Sequence, residues 1–591
     1  MSLEDLLSAR LRPAFAAVAG DHPADPAVRR SQHADFQADG ALALARALGR
    51  PPRAIAAEVL ARADLSGLVA EAQVQGPGFV NLTVETSAIT SLLHRVYADS
   101  RLGCSPAPEP RSVVVDYSGP NVAKEMHVGH LRSTVIGDAI VRLLEFQGHS
   151  VQRINHLGDW GTPFGMLIEH LLDVGEDGRL IQLDLEQGLG STGMGTTVAH
   201  EFSVGDLTEF YQAARRKFDG DPEFKKRSQA RVVALQSGDE QTRRLWRLLV
   251  AESEKYFLDV YRKLDITLTQ ADFSGESSYQ DDLADVVAEL AAKGLLTESD
   301  GALCAFPPGF TGRDGAPLPV IVRKEDGGYN YSATDLAALR RRCRDLRVDQ
   351  AVYVVGSPQR QHFAMVFAVG AQAGWLAHPE QAIHVGFGSI LGADGRMLKT
   401  RAGDTIKLGA LLDEAIARAD EVVAEKSPDL GPDEAARVAH AIGIGAVKYA
   451  DLSSDRIKDY SFDWDRALST TGDSGTYLQY THARIHSILR KAGGVPAGAL
   501  PQLGVPAERE LALRLLAFPA AVEAAASAYQ PHRLAGYLHA LASAYTGFYE
   551  TCPVLRAPQE IRAGRLALSE LTARVLAQGL SLLGIRAPER M

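Results

Sequence analysis

The chain has 591 residues, too many for a single hydrophobic core, so three or four domains are expected. Hydrophobic residues make up 46% of it and charged residues 23%, the balance of an ordinary globular protein. Its net charge of −11 argues against a protein that coats nucleic acid, although it allows a local basic face for one RNA.

Further features of the composition limit the class of protein. No apolar run reaches the roughly 20 residues that a membrane-spanning helix needs. Glu4 and Asp5 precede the first arginine, unlike the basic start of a secretion signal, so we expect a cytoplasmic protein without a membrane partner. The cysteines stand too far apart for a disulfide framework or a zinc site, which predicts no protein-bound metal: Cys104, Cys304, Cys343 and Cys552.

The first hundred residues predict a small α+β module. From apolar spacing and turn residues, helices are expected at 3–18, 41–48 and 55–63, and strands at 68–74 and 79–84. The proline-rich segment 105–110 is typical of a linker. We therefore place the end of this N-terminal domain at residue 108.

A βαβ unit follows, and it holds the most informative motif of the chain. The apolar runs Val113–Val115 and Val151–Ile154 predict two buried parallel strands, and the spacing between them predicts a helix that ends near Gly148. His127-Val128-Gly129-His130 opens that helix. Because a helix N-terminus presents free backbone N–H groups, this position favours a phosphate, and its glycine lets a flat ring approach the backbone.

Strands and helices alternate from residue 113, which predicts a doubly wound, Rossmann-type parallel sheet in a domain at 109–408. Two polar stretches, near 178–263 and 281–328, are expected to be insertions in it. Gly188-Leu189-Gly190 is expected to be a flexible loop, because no strand-to-helix turn accompanies its GxG spacing. The pattern is helical after Leu408, which predicts an all-helical domain at 409–591.

Several blocks, in order along nearly the whole chain, resemble one protein family. The stretch DYSGPNVAKEMHVGHLRST at 116–134 closely resembles the HIGH region of arginyl-tRNA synthetases, which belong to class I of the aminoacyl-tRNA synthetases. Other blocks are similar to the same family: NHLGDWGTPFG at 155–165, YSATD at 331–335, YVVGS at 353–357 and TGDSGTYLQY at 471–480.

The resemblance implies an arginine–tRNA ligase, which makes arginyl-adenylate from ATP and arginine and passes the arginyl group to the terminal ribose of its tRNA. It implies ATP with Mg²⁺ as the cofactor, a monomer, an N-terminal domain that meets the tRNA elbow, and a helical anticodon-binding domain. It implies that His127 and His130 are catalytic and that both bind ATP together with Gly129. Activation is phosphoryl chemistry, which depends on positioning and charge stabilisation.

Arginine recognition needs carboxylates, because a guanidinium presents five donors in one plane. Asp116 follows the first strand, at the edge where doubly wound sheets bind ligands. By the resemblance, Asp116 and Asp335 hold the guanidinium and Tyr331 braces it, whereas Asn121 and Gln359 reach the α-ammonium group. Many family members have Glu at the position of Asp116, and a solvated aspartate at a strand end is the alternative interpretation.

The charge that neutralises the leaving pyrophosphate has two candidate sources. Class I enzymes use the second lysine of a mobile KMSKS loop, and the matching segment here reads GRMLKTRAG at 395–403. One alignment puts Lys399 in the place of that lysine. The other, which we favour, anchors on Thr400-Arg401 and leaves no lysine there. Lys124, three residues before the HIGH motif, would then bind ATP and supply the catalytic charge, as family members with degenerate loops imply. Lys399 and Arg401 of the loop are the other predicted catalytic cations.

Tyrosines near the other end of the chain predict RNA contacts. Tyr477 and Arg484 share one stripe of a predicted helix beside an apolar stripe, which suits stacking on unpaired bases. Tyr480 shares that stripe, and there a place in the core is an equally good interpretation. The resemblance assigns anticodon contacts to Tyr477, Arg484, Tyr549 and the terminal Met591.

Two rival functions remain at this stage. Another class I ligase or nucleotidyltransferase is disfavoured by the paired carboxylates Asp116 and Asp335. A non-catalytic tRNA-binding paralogue would tolerate loss of the two histidines, and this chain keeps both.

Overall fold

The computed structural model describes residues 2–174, 204–392, 395–398 and 406–591. They form two compact units. The first unit comprises residues 1–108, 420–449 and 465–591, and the second comprises 109–419 and 450–464. The start of the chain therefore folds together with its helical end, whereas the alternating strands and helices fold by themselves.

The N-terminal part of the first unit is an antiparallel sheet with four helices. Its strands are β1 (Val28–Arg30), β2 (Phe36–Ala38), β3 (Val69–Gln75) and β4 (Phe79–Val84), in the sheet order β1-β2-β4-β3, and its helices are Leu3–Ala19, Gly40–Leu48, Pro52–Arg62 and Thr86–Ala98. Ser2 caps the first helix, because its side chain accepts the Asp5 N–H while the Asp5 carboxylate accepts the Ser2 N–H. The three helices and two strands predicted here are confirmed. β1 and β2 were not predicted, because three residues are too few for a periodic pattern.

A parallel sheet is the centre of the second unit. The strands of this unit are, in chain order, β5 (Ser112–Asp116), β6 (Ser150–Leu157), β7 (Phe273–Gly275), β8 (Thr297–Ser299), β9 (Ala302–Ala305), β10 (Val320–Arg323), β11 (Gln350–Tyr353), β12 (Ala382–His384), β13 (Ile390–Leu391) and β14 (Tyr460–Ser461). Five of them pair in parallel in the order β12-β11-β5-β6-β7, with the first strand central. The strand order reverses between β5 and β11, and such a switch point is where doubly wound sheets bind ligands. The predicted Rossmann-type sheet is confirmed.

Helices surround this sheet, and the most important of them is Val128–Phe146, called the HIGH helix below. The others are Thr162–Val174, Val204–Gly220, Pro222–Ser237, Glu240–Lys263, Gln280–Ala292, Tyr331–Arg340, Arg360–Gln372 and Leu408–Lys426, of which the last continues into the first unit. A π-helical turn, Arg341–Asp345, extends the helix Tyr331–Arg340.

The HIGH helix approaches the switch point very closely. A Cβ atom on Gly137 would lie 2.3 Å from the Cβ of Tyr117, so glycine is what permits this approach. The Ser133 hydroxyl donates to the Val354 carbonyl over 2.6 Å and accepts the Ser118 N–H over 2.9 Å. Ser133 thus ties the helix both to the chain after β5 and to the chain after β11.

The two predicted insertions contain regular structure where they are described. Residues 204–263 of the first form three helices, and Gly188-Leu189-Gly190 lies outside the described residues. The second contains the helix Gln280–Ala292 and an antiparallel sheet in the order β10-β9-β8. Their exact limits stay predictions.

The rest of the first unit is helical. Its helices are Pro432–Leu452, Trp464–Ala467, Gly475–Ala492, Pro506–Leu516, Phe518–Ser527, Pro531–Thr551 and Gln559–Leu582. The first two of them include a few residues that are assigned to the second unit. The N-terminal part packs against them through an Arg509–Asp35 ion pair of 2.6 Å and a 2.7 Å bond from Arg574 to the Tyr97 carbonyl. The helical pattern predicted after Leu408 is correct except for β14, which pairs with β13. Within the described ranges, no helix is long and apolar enough to cross a membrane.

Candidate active site

The first turn of the HIGH helix is built from its two histidines. His127 precedes the helix, and its Nδ1 accepts the Gly129 N–H over 3.0 Å. His130 Nδ1 accepts the His127 N–H over 3.1 Å, and the two ring centres are 4.0 Å apart. A Cβ on Gly129 would lie 2.7 Å from His127 Cε1, so glycine lets the ring fold over the backbone.

Both histidines are neutral hydrogen-bond donors at pH 7. Desolvation by the surrounding protein, and then the charge of Lys124, lowers the pKa of His127. Burial, and then the neighbouring His127, lowers the pKa of His130 to about 3. Because each Nδ1 already accepts a backbone N–H, the single ring proton must lie on Nε2. The turn therefore offers two imidazole N–H donors near a helix N-terminus, an arrangement suited to phosphate oxygens.

A cavity of about 610 Å³ opens at the switch point, beside the carboxyl ends of β5 and β11. It contains Gly129 of the HIGH helix in its wall. All five residues predicted to bind arginine line the same cavity, although they come from distant parts of the chain: Asp116, Asn121, Tyr331, Asp335 and Gln359.

Asp335 is held by a histidine that the sequence analysis did not identify. His362 Nε2 lies 2.6 Å from Asp335 Oδ2, and its ring centre lies 5.0 Å from that of Tyr331. Tyr331 itself is 59% exposed, so its ring is available to a ligand. His362 stands three residues after Gln359, and this spacing of one helical turn was the signal that could have revealed it.

Asp116 already has a partner, which the sequence did not indicate. Arg342 Nη1 donates to Asp116 Oδ2 over 2.7 Å, and both side chains are buried. One oxygen of Asp116 is thus engaged by an internal guanidinium. The predicted contact of Asp116 with the substrate guanidinium therefore has to compete with Arg342 at Oδ2, whereas Oδ1 is not engaged by Arg342.

Glu276 is a further carboxyl group in the cavity wall, and it too was missed. Burial raises the pKa of Glu276 to about 7, and the charges of Asp159 and Asp335 add to this effect. The Asp159 carboxylate accepts both the N–H and the hydroxyl of Ser277, which fixes the turn that begins at Glu276. Glu276 follows β7, a strand too short to be recognised in the sequence.

Asn121 depends on a glycine in the neighbouring block. A Cβ on Gly158 would lie 2.4 Å from Asn121 Oδ1, so only glycine leaves room for the amide. Gln359 is exposed and ends a short helical turn, Ser357–Gln359. Both side chains therefore reach the cavity from its rim.

The cations near the HIGH motif are differently placed. Lys124 is exposed, and its Nζ lies 4.4 Å from the centre of the Tyr211 ring. Lys407 Nζ pairs with Glu125 over 2.6 Å. Lys399 and Arg401, predicted to be catalytic, lie outside the described residues.

Three of the four predicted anticodon residues lie on two helices that pack together in the first unit. The Tyr477 hydroxyl is 3.0 Å from the Thr546 hydroxyl, and Arg484 lies 4.0 Å from the centre of the Tyr549 ring. Tyr480 is exposed rather than part of the core. The tail that leads to Met591 is tied to the same region, because His482 Nδ1 lies 2.9 Å from the Pro588 carbonyl.

No metal-binding group of three or more His, Cys, Asp or Glu side chains occurs within the described ranges. The backbone N–H groups of the first turn are already engaged, because Val128 donates to the Ile406 carbonyl, His130 to the His127 carbonyl, and His127 and Gly129 to imidazole nitrogens. The free N–H groups expected at this helix N-terminus are therefore not available, and the two imidazoles are the donors that the turn offers opposite the carboxyl groups.

Comparison with known proteins agrees with this geometry. Residues 92–464 match the family of tRNA synthetases class I (R), catalytic domain. Residues 478–591 match the DALR anticodon binding domain, and residues 1–84 match the arginyl tRNA synthetase N terminal domain. Together with the parallel sheet and the HIGH helix, these matches define a class I aminoacyl-tRNA synthetase.

Relatives over the full length specify the family. The arginine–tRNA ligase of Thermobifida fusca is 51% identical over 100% of this chain and 99% of its own, and that of Escherichia coli O8 is 44% identical over 100% of both. The arginyl-tRNA synthetase structure from Plasmodium falciparum is 27% identical with a TM-score of 0.85, and the match covers 100% of this chain and 99% of that one. The structure from Thermus thermophilus is 28% identical with a TM-score of 0.81, and the match covers 100% of both chains. The chain belongs to the arginyl-tRNA synthetase family. It is an enzyme that activates arginine and charges tRNA with it.

We predict that arginine binding weakens when pH falls through about 7, the value to which burial raises the pKa of Glu276. Below that pH the carboxyl group is neutral and above it is ionised, so the attraction to the arginine cation is lost on acidification. The KM for arginine in ATP–pyrophosphate exchange should rise on the order of tenfold, the scale of one charged hydrogen bond.

The control is Glu276→Gln, which should show the raised KM at every pH. A Glu276→Gln enzyme that kept the pH dependence of the original would assign it to another group.

Proposed function

We propose that the cavity at the switch point binds arginine beside the α-phosphate of ATP and forms arginyl-adenylate there. One observation carries the proposal: a single cavity is lined both by Gly129 at the HIGH helix N-terminus and by Asp335 and Glu276. The helix dipole and the two imidazole N–H groups beside Gly129 suit the phosphate, and the carboxyl groups suit the guanidinium, so the two substrates are brought side by side.

In the first step, a carboxylate oxygen of arginine attacks the α-phosphorus of ATP, and the bond to the departing pyrophosphate breaks. His127 and His130 donate from Nε2 to phosphate oxygens, where negative charge builds up in the transition state. Mg²⁺ enters with ATP as part of that substrate. A hydroxyl of the terminal ribose of the tRNA then attacks the arginyl carbonyl, and AMP leaves.

The carboxyl groups divide the recognition of arginine. Asp335, oriented by His362, is the principal partner of the guanidinium, and Tyr331 covers it from the exposed side. Glu276 adds a second carboxyl group, and Asp116 adds one oxygen. At the rim, Asn121 and Gln359 receive the α-ammonium group.

Asp335→Ala tests this assignment directly. The variant leaves the bound guanidinium without its main partner, at a cost of roughly 2–5 kcal/mol. We expect the KM for arginine in ATP–pyrophosphate exchange to rise about thirtyfold or more, with the KM for ATP nearly unchanged.

Asp345→Ala is the matched control, because Asp345 pairs with Arg344 and does not line the cavity. A near-normal KM for arginine in Asp335→Ala would refute the proposed pocket.

Lys124 is proposed to neutralise the leaving pyrophosphate, with Lys399 and Arg401 of the KMSKS-like loop as the other catalytic cations. Among the described residues, the contact given for its exposed ammonium group is with the face of Tyr211, worth roughly 0.5–1 kcal/mol at an exposed site. Lys407, the neighbouring cation, is instead paired with Glu125. Lys124 is therefore free to turn towards a phosphate at small cost.

Lys124→Ala should slow adenylate formation by about 10²-fold, the scale of removing one charge-stabilising donor, while tRNA affinity changes little. The rate of adenylate formation is measured by single-turnover rapid quench, and the tRNA affinity is measured by filter binding. Lys399→Ala is the comparison: a crippled Lys399→Ala beside a benign Lys124→Ala would show that the loop lysine has this role.

Recognition of the tRNA is proposed to use both ends of the chain. We assign residues 1–108 to the tRNA elbow, 109–408 to catalysis and 409–591 to the anticodon. Tyr477, Arg484, Tyr549 and Met591 would contact the anticodon loop. In support, the Arg484–Tyr549 pair presents a cation stacked on a ring, the chemistry on which unpaired bases stack. From the resemblance to the family we propose a monomer that acts in the cytoplasm, where its tRNA is used.

Tyr477→Ala should weaken charging by the loss of a base stack worth roughly 1–3 kcal/mol. Tyr477→Phe, which keeps the ring and loses only the contact with Thr546, should charge almost normally. The measurement is kcat/KM for the cognate tRNA and for one with an altered anticodon. Equal losses of Tyr477→Ala on both tRNAs would make the tyrosine structural.

A further inference from the structure

Arg342 is a buried cation that bonds to Asp116 in the cavity wall. The proposed reaction gives Arg342 no role. It is 1% exposed and lies in the π-helical turn Arg341–Asp345. The neighbouring arginines of the turn serve other carboxylates: Arg341 pairs with Asp282, and Arg344 with Glu289 and Asp345. Arg342 alone among them contacts a residue that lines the cavity.

Its contacts join it to both strands of the switch point. Nη1 donates to Asp116 Oδ2 at the end of β5, and the guanidinium carbon lies 4.9 Å from the centre of the Tyr353 ring at the end of β11. Tyr353 and Asp116 are register partners in the sheet. Among the described residues, Asp116 is the single carboxylate that pairs with Arg342, and Nε and Nη2 of Arg342 have no hydrogen-bond acceptor.

A buried carboxylate without a counter-charge is costly, and a buried guanidinium likewise. Each member of this pair therefore depends on the other. The bond to Oδ2 also restricts the rotation of the Asp116 side chain, so Oδ1 is the oxygen left for a ligand in the cavity that Asp116 lines. A short charge-assisted bond of this kind sets direction as well as charge.

We infer that Arg342 is a positioning residue for arginine recognition. It supplies the counter-charge of Asp116 and occupies one of its oxygens, so that Asp116 meets the substrate guanidinium through the other oxygen only. This inference depends on the proposed function, in which Asp116 contacts arginine. Asp335 and Glu276 then provide the larger part of the attraction.

The test is a double-mutant cycle between the two members of the pair. We measure the KM for arginine and the KM for ATP in Arg342→Met, Asp116→Asn and the double variant, in the presence of tRNA. Each single change should raise the KM for arginine about tenfold, the scale of one charged hydrogen bond, and leave the KM for ATP within about twofold. Because Arg342 acts through Asp116, the double variant should be no worse than Asp116→Asn alone.

Two further variants complete the design. Arg342→Lys keeps the positive charge and one donor, so it should recover at least half of the lost affinity on a logarithmic scale. Arg344→Met removes a guanidinium of the same turn that serves Glu289, and it should leave both KM values unchanged. A purely structural arginine would lower thermal stability without this selective effect on arginine.

The outcomes separate the inference from the proposed function. Asp116→Asn with a normal KM for arginine would overturn the role of Asp116 itself, and the inference with it. An impaired Asp116→Asn beside a normal Arg342→Met, or losses that add in the double variant, would overturn the inference alone. If Arg342→Met does not fold, the double variant is used instead, because it has no unpaired buried charge. Its KM for arginine is compared with that of Asp116→Asn. Equal values support the inference, and a higher value in the double variant refutes it.

Discussion

The active site depends on how closely the HIGH helix approaches the ends of the two central strands. Gly137 removes the atom that would collide with Tyr117, and Ser133 then bonds to the chain beyond each strand. These contacts are rigid, because backbone groups and a short hydroxyl set them. A helix displaced outward by the width of one methyl group would lose both bonds of Ser133. The first turn of the helix, whose Gly129 lines the cavity, would then move away from the carboxyl groups that line it.

The electrostatic character of the cavity follows from what burial does to each group. Burial keeps the two imidazoles of the HIGH motif uncharged, so they attract phosphate oxygens as dipoles and do not repel the two positive groups of arginine. The negative charge of the carboxyl groups is partly offset as well, because Arg342 pairs with Asp116 and His362 hydrogen-bonds to Asp335. This distribution of charge supports the proposed binding of phosphates and of a cationic amino acid in one cavity.

Much of this architecture could be predicted from the sequence, and the failures have a common cause. The apolar runs around the HIGH motif predicted β5, β6 and the helix between them, because periodicity is a local signal. The residues predicted to bind arginine came from resemblance to a family, and all five line the cavity. Arg342 could not be found in this way, since it meets Asp116 across 226 residues of chain. Glu276 was hidden by the shortness of β7, and β14 by its length of two residues.

The first unit unites residues that are far apart in the order of synthesis. Asp35 and Arg509, which form one of its ion pairs, are separated by 474 residues. At ribosomal rates of about 5–20 residues per second, the N-terminal part waits roughly half a minute to a minute and a half for its helical partner. During that interval its docking face is open to water and to other proteins. The first unit is thus completed only after Arg509 has been synthesised, later than all five strands of the central parallel sheet.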